Sequence, residues 1–219
     1  MVDLEKYTES FRSISNNASL EYVLFSDTVV ISTTDESEAS LLKLLQSCSR
    51  LFGGLLAKGI SLRGAIARGQ FTREKTDTGV FLAGRPVVDA YRFEKQQDWV
   101  GVMLTPSVLE TTPELRSRCH ISRRRNSTHG DWMRCVQPCA SIPFRHDESL
   151  AGTEAYEGFA IVPTDSDACD KEETLTEIQR MLASLARLKS LAPNPAAQAK
   201  YKKTSDWLQA LIQQWCSDW

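Results

Sequence analysis

Between residues 20 and 32 the chain runs Leu-Glu-Tyr-Val-Leu-Phe-Ser-Asp-Thr-Val-Val-Ile-Ser. Leu20, Tyr22 and Leu24 occupy alternate positions, and Val29-Val30-Ile31 is a continuous β-branched run. That pattern predicts two strands of a hairpin, bent at Ser26-Asp27. Asp often turns a hairpin. A carboxylate set between apolar walls is also costly to keep ionised without a cation or a donor. Asp27 is therefore read both as a turn residue and as a candidate metal ligand.

The period changes on either side. Tyr7, Phe11 and Ile14 recur at helical spacing and predict a short helix over residues 5–15, broken at Ser15-Asn16-Asn17. Asp35-Glu36-Ser37-Glu38 supplies acids and a cap for a second helix. Leu41, Leu44, Leu45, Cys48, Phe52 and Leu55 lie on one of its faces, and Gly59 closes it. Residues 60–71 predict a strand in which Gly64 and Gly69 mark a bend or a close backbone approach. Residues 72–79 are polar and predict a turn. Pro86 suits the first turn of a helix that continues to Gln97.

A strand over 99–104 and a short helix over 105–109 follow. Residues 115–150 are basic, Cys- and His-bearing and loop-like, and are read as an insertion with a strand at 132–136. A further strand is expected at 158–162. Leu175, Ile178, Leu182, Leu185 and Leu188 predict an amphipathic helix over 172–191, with Thr174 and Glu177 as a capping box. Pro193-Asn194-Pro195 is a hinge before a last helix carrying Tyr201, Leu208, Leu211, Ile212 and Trp215. The order to residue 104 is α-β-β-α-β-α-β, which is α+β. A complete split βαβ sandwich would have one more strand in front, where only Met1-Val2 precede Asp3.

Composition narrows the class. The chain has 219 residues, 42% hydrophobic and 25% charged, which is ordinary for a globular protein with a sizeable core. A net charge of −2 gives no global basic field, so nucleic acid is not an expected partner. No apolar run is long enough to span a membrane, and the N-terminus lacks the apolar stretch of a signal peptide. Six Cys without such a signal are expected to be reduced thiols in a cytoplasm.

Four segments carry a family likeness. They are Asp3-Leu4 followed by Tyr7-Thr8, the run Phe25-Ser26-Asp27-Thr28-Val29-Val30-Ile31, the run Leu62-Arg63-Gly64-Ala65-Ile66-Ala67 with Gly69, and residues 84–94, GRPVVDAYRFE. In this order they resemble the catalytic domain of class III nucleotide cyclases, closest to the bacterial Pycsar-type (cytidylate/uridylate) cyclases. The likeness covers about residues 3–109. It implies a ferredoxin-like, split βαβ sandwich of the class III cyclase type over residues 1–165, with 115–150 as an insertion. Residues 166–219 would be a C-terminal helical extension.

The resemblance implies that Asp3 and Asp27 hold two divalent cations, Mg²⁺ or Mn²⁺. The ribose 3'-oxygen of a nucleoside triphosphate would attack the α-phosphorus, and pyrophosphate would leave. It further implies a head-to-tail homodimer, with Arg92 stabilising transition-state charge across the interface, and a role in antiphage signalling. Arg85, Tyr91 and Phe81 are the candidate substrate contacts. The base-reading positions of adenylate cyclases fall at Val23 and Phe81, whose side chains cannot hydrogen-bond a base edge. A pyrimidine base is expected by elimination.

Plainer readings stand beside these. Asp3 also suits a solvated helix start. Arg92 also suits an i,i+4 surface pair, and Arg85 an ordinary surface cation or a phosphate ligand at a helix start. Arg63 is read as a structural ion pair, and Tyr91 and Glu94 as core and cap partners. Cys119, His120, His129, Cys135 and Cys139 are the soft-ligand cluster, but their spacings match no standard zinc finger. Arg123-Arg124-Arg125 has no interleaved aromatics and is read as solvated. The two C-terminal helices would cover the sheet or form a dimer interface. Lys6 and Val88 depart from the family motif, which expects Gly and Asn there. They support an alternative, a catalytically inactive cyclase-fold module that binds a nucleotide or a partner protein.

Overall fold

The computed structural model describes residues 19–77, 79–113, 115, 136–139, 158–163 and 171–217. The expected first helix, Asp3 and most of the 115–150 insertion, including Cys119, His120, His129 and Cys135, lie outside these residues. The architecture is mixed α+β. In chain order it comprises strands β1 (Leu20–Phe25) and β2 (Thr28–Thr33), helix α1 (Glu38–Ala57), then β3 (Arg63–Ile66), β4 (Phe71–Thr76) and β5 (Gly79–Gly84). Helix α2 (Arg85–Gln96), β6 (Gly101–Leu104), α3 (Pro106–Thr111), β7 (Val136–Cys139), β8 (Gly158–Ile161), α4 (Lys171–Leu191) and α5 (Pro195–Ser217) follow.

Three sheets form. β1 and β2 make an antiparallel hairpin, β4 and β5 make another, and the third sheet has the order β3-β6-β8-β7. β3 and β6 are parallel, from Arg63 beside Gly101 to Ile66 beside Leu104. A parallel pair requires a crossover, supplied here by β4, β5 and α2. β8 joins β6 and β7 antiparallel.

α1 is where the core meets. Ser37 caps it by accepting from the amide of Ser40 at 3.1 Å, and the Asp35 carboxylate accepts from the amide of Ser37 at 2.8 Å. Hydrogen bonds from Ser37, then from Ser40, hold the exposed Asp35 carboxyl below its ordinary range. Leu41, Leu44, Leu45, Leu51 and Leu55 pack with Leu20 of β1 and with Ile66, Leu104 and Ile161 of the four-stranded sheet. Phe52 and Leu56 pack with Ile178, Met181 and Leu185 of α4 and with Leu208 and Leu211 of α5. A helix bordered on two sides needs short residues for close approach, and Ser47, Ser49, Gly53 and Gly54 are buried in it.

Sequence and structure part company at three elements. Residues 60–71 are not one strand: β3 ends at Ile66, and a separate strand begins at Phe71. The polar stretch expected to be a turn is mostly β4, an exposed strand that pairs with β5 from Phe71 beside Gly84 to Thr76 beside Gly79. Backbone pairing with β5 holds β4 extended without burying its side chains. Thr174 and Glu177 do not form the entry to α4, because the helix starts earlier, at Lys171. Of the strand expected at 132–136 only Val136 is among the described residues, at the start of β7.

α5 is tied to the sheet by one buried hydroxyl. Thr204 accepts from the amide of Val100 at 3.0 Å and donates to the carbonyl of Val100 at 2.7 Å. Thr204→Val keeps the shape and orphans both backbone groups. It is expected to lower unfolding free energy by about 1–3 kcal/mol, read from urea denaturation; an unchanged midpoint would mean that this tie contributes nothing.

Candidate functional site

Register places the hairpin apex. β1 and β2 pair without interruption from Leu20 opposite Thr33 to Phe25 opposite Thr28, which leaves Ser26-Asp27 as a two-residue turn. Such turns require positive φ, and Ser26 adopts φ +55°, where most side chains are strained. Asp27 follows it, exposed, and its carboxylate receives one long hydrogen bond from the Thr28 hydroxyl at 3.5 Å.

The expectation of apolar walls around Asp27 is therefore corrected. Leu20 at the base of the hairpin joins the core that α1 builds, and Ile31 and Val29 of β2 pack against it up to the rung next to the tip. Tyr22 and Leu24, nearer the tip, are exposed. Among the described residues only Thr28 donates to the Asp27 carboxylate, which leaves oxygen lone pairs for a further ligand.

α2 carries the other candidates. Gly84 precedes it at φ +149°, and a Cβ there would lie 2.6 Å from Cβ and 2.7 Å from Cα of Phe71. Only glycine fits where β5 turns directly into the helix. Gly69 faces the same junction: its Cβ position would meet Pro86 Cδ at 3.4 Å, the close approach that a glycine there predicts. Arg85 is 88% exposed and pairs with Asp89 one turn on, at 3.1 Å. Arg92 is exposed and makes no ion pair or hydrogen bond with the described residues. Seven residues apart, Arg85 and Arg92 fall within about 20° of each other around the axis.

Tyr91 is 63% exposed, so it is not the core residue expected, and the Lys95 ammonium stands 5.3 Å from its ring centroid. Phe81, on β5, is 56% exposed. Among the described residues neither Asp27 nor Arg92 forms an ion pair. Among the described residues no group of three or more His, Cys, Asp or Glu side chains is poised around a common metal position.

The opposite side of α2 is fastened. The Arg63 guanidinium of β3 pairs with the Glu94 carboxylate, both half-buried, as read from the sequence for Arg63. Glu94 is thus a strand partner through its side chain, and a cap partner through its carbonyl, which accepts from the amide of Gln97 at 3.2 Å. Gln97, fully buried just past α2, donates to the carbonyl of Gly64 at 2.8 Å and accepts from the Trp99 indole at 3.1 Å. Sequence reasoning missed Gln97; the signal was an amide pair, Gln96-Gln97, between a charged helix end and a buried Trp. In comparisons with known proteins, no family model, curated protein or solved structure gives a significant match.

Two substitutions at the apex separate turn geometry from side-chain chemistry. Ser26→Val forces a β-branched residue into left-handed backbone and is expected to cost about 1–2 kcal/mol. Asp27→Ala is expected to change stability by no more than about 0.5 kcal/mol. Urea midpoints of the two variants check this; a large loss in Asp27→Ala would make the carboxylate structural.

Proposed function

We propose that this chain is a metal-dependent nucleotide cyclase of the class III type, working as a homodimer in the cytoplasm. It converts a nucleoside triphosphate, of a pyrimidine base, to its 3',5'-cyclic monophosphate and pyrophosphate, as a signal in antiphage defence. Four ordered motifs support the reading. The observation that carries it is the position of Arg92: exposed, unpaired among the described residues, and on the side of α2 turned away from its own fastening to β3. An arginine so placed is available to a second copy of the chain rather than to its own Asp27.

The roles follow from donor chemistry. Asp27 offers hard oxygen ligands with little competition from the protein, which suits Mg²⁺ or Mn²⁺, and Asp3 is the second ligand. Bound divalent cations supply charge neutralisation at the triphosphate and lower the proton affinity of the ribose 3'-hydroxyl. The 3'-oxygen forms the new bond to the α-phosphorus, the bond to the pyrophosphate oxygen breaks, and the hydroxyl proton passes to solvent. Arg92 from the second copy donates to the phosphate oxygens as charge builds on them. Arg85 lies in the same stripe and adds a second guanidinium. Tyr91 and Phe81 present ring faces to the base, with no edge-reading group at Val23 or Phe81.

A second reading has its own support. Val88, where the family pattern has Asn, is 45% exposed beside Tyr91, an apolar surface suited to binding a partner without catalysis. Turnover separates the two readings.

A site shared between protomers makes a specific prediction. Asp27→Ala and Arg92→Ala each lose at least about 100-fold in kcat. Mixed in equal amounts and allowed to exchange subunits, they regain about a quarter of wild-type activity, because half the dimers are mixed and each has one intact site. No recovery in a mixture shown to contain mixed dimers would contradict the shared site.

A further inference from the structure

α2 is held by polar fastening more than by burial. Of its twelve residues only Pro86, at the N-terminal end, is buried. Phe93 adds a partly buried ring against Trp99, Met103 and Ala160. Polar attachment is at the C-terminal end: Glu94 to Arg63, and Gln97 to the Gly64 carbonyl on the same strand. Both connections reach adjacent residues of β3, which lies parallel beside β6 in the four-stranded sheet.

Helix geometry links that fastening to the exposed face. Glu94 and Arg92 are two residues apart, about 200° around the axis. Glu94 and Arg85 are nine apart, about 180°. Fixing Glu94 inward therefore fixes Arg85 and Arg92 outward. Rotation of the helix by one residue would break the Glu94 pair and draw the neighbouring Phe93 ring away from Trp99 and Met103. The pair thus sets which stripe faces out.

We infer that the Arg63–Glu94 pair is a positioning device for Arg92. It sets the rotation of α2, so that the guanidinium meets the triphosphate bound by a second copy. This rests on the cyclase reading above. Neither Arg63 nor Glu94 touches the substrate; both act through the helix.

The test uses Glu94→Gln, and the charge-swapped chain Arg63→Glu with Glu94→Arg. Steady-state cyclisation kinetics are measured on each, alongside hydrogen exchange of the α2 amides. Glu94→Gln is expected to lower kcat at least tenfold while KM for the triphosphate stays within about twofold. Exchange in α2 should rise at least tenfold, with the α1 amides unchanged. The swapped chain should restore kcat to within about threefold of wild type and return exchange to its original rate. Reduced stability in Glu94→Gln with kcat and α2 exchange unchanged would overturn the positioning role, as would a swapped chain that restores exchange but not kcat. Should wild type prove silent with every triphosphate, the cyclase reading fails, and the role proposed for the pair falls with it. An active wild type with unchanged α2 exchange in Glu94→Gln refutes the positioning device alone.

Discussion

Two hydrophobic clusters meet on α1, and the remaining elements depend on that meeting. The β1–β2 hairpin shares no ladder with the four-stranded sheet, and α4 and α5 share none with either. What joins them is side-chain burial: Leu45, Leu51 and Leu55 toward the strands, Phe52 and Leu56 toward the terminal helices. Truncating a buried Phe such as Phe52 typically costs about 3–5 kcal/mol, a large share of a domain's net stability of about 5–15 kcal/mol. Ser49 reinforces the joint, its hydroxyl donating to the carbonyl of Val162 just beyond β8.

Away from that joint the structure relies on polar attachment. α2 is set by Arg63 and Gln97, while the β4–β5 arm is linked to β1 through an Arg73–Glu21 pair. Arg68 spans a third gap, donating to the Thr112 hydroxyl and to the carbonyl of Glu36, each at 3.2 Å. These attachments fix orientation where apolar area is scarce. They also leave exposed the residues read as functional: Asp27 at a hairpin tip, Phe81 on an arm, Arg85, Tyr91 and Arg92 on the outward side of α2. No helix among the described residues is long and apolar enough to cross a membrane.

The elements legible in the sequence are those whose burial is periodic. The hairpin, α1, α4 and α5 each carry an apolar repeat that matches the side they bury. β4 was hidden because Phe-Thr-Arg-Glu-Lys-Thr has no apolar face to reveal it; only its pairing with β5 makes it a strand. Tyr91 misled for the opposite reason, since an aromatic at helical spacing looks like core, yet α2 has little core to join. The candidate site was legible only as motifs. Nothing local in the sequence tells that Asp27 stands exposed at the hairpin tip, or that Arg63 and Glu94, 31 residues apart, meet across a strand and a helix.

Cyclisation of a nucleoside triphosphate is the activity to assay first. The protein is incubated with each of the four ribonucleoside triphosphates and Mn²⁺, and the products are identified by mass spectrometry. The account predicts a 3',5'-cyclic monophosphate and pyrophosphate from a pyrimidine triphosphate, with none formed by Asp27→Ala. Silence with all four triphosphates, from protein shown to be folded and dimeric, would contradict it and leave a fold kept for binding.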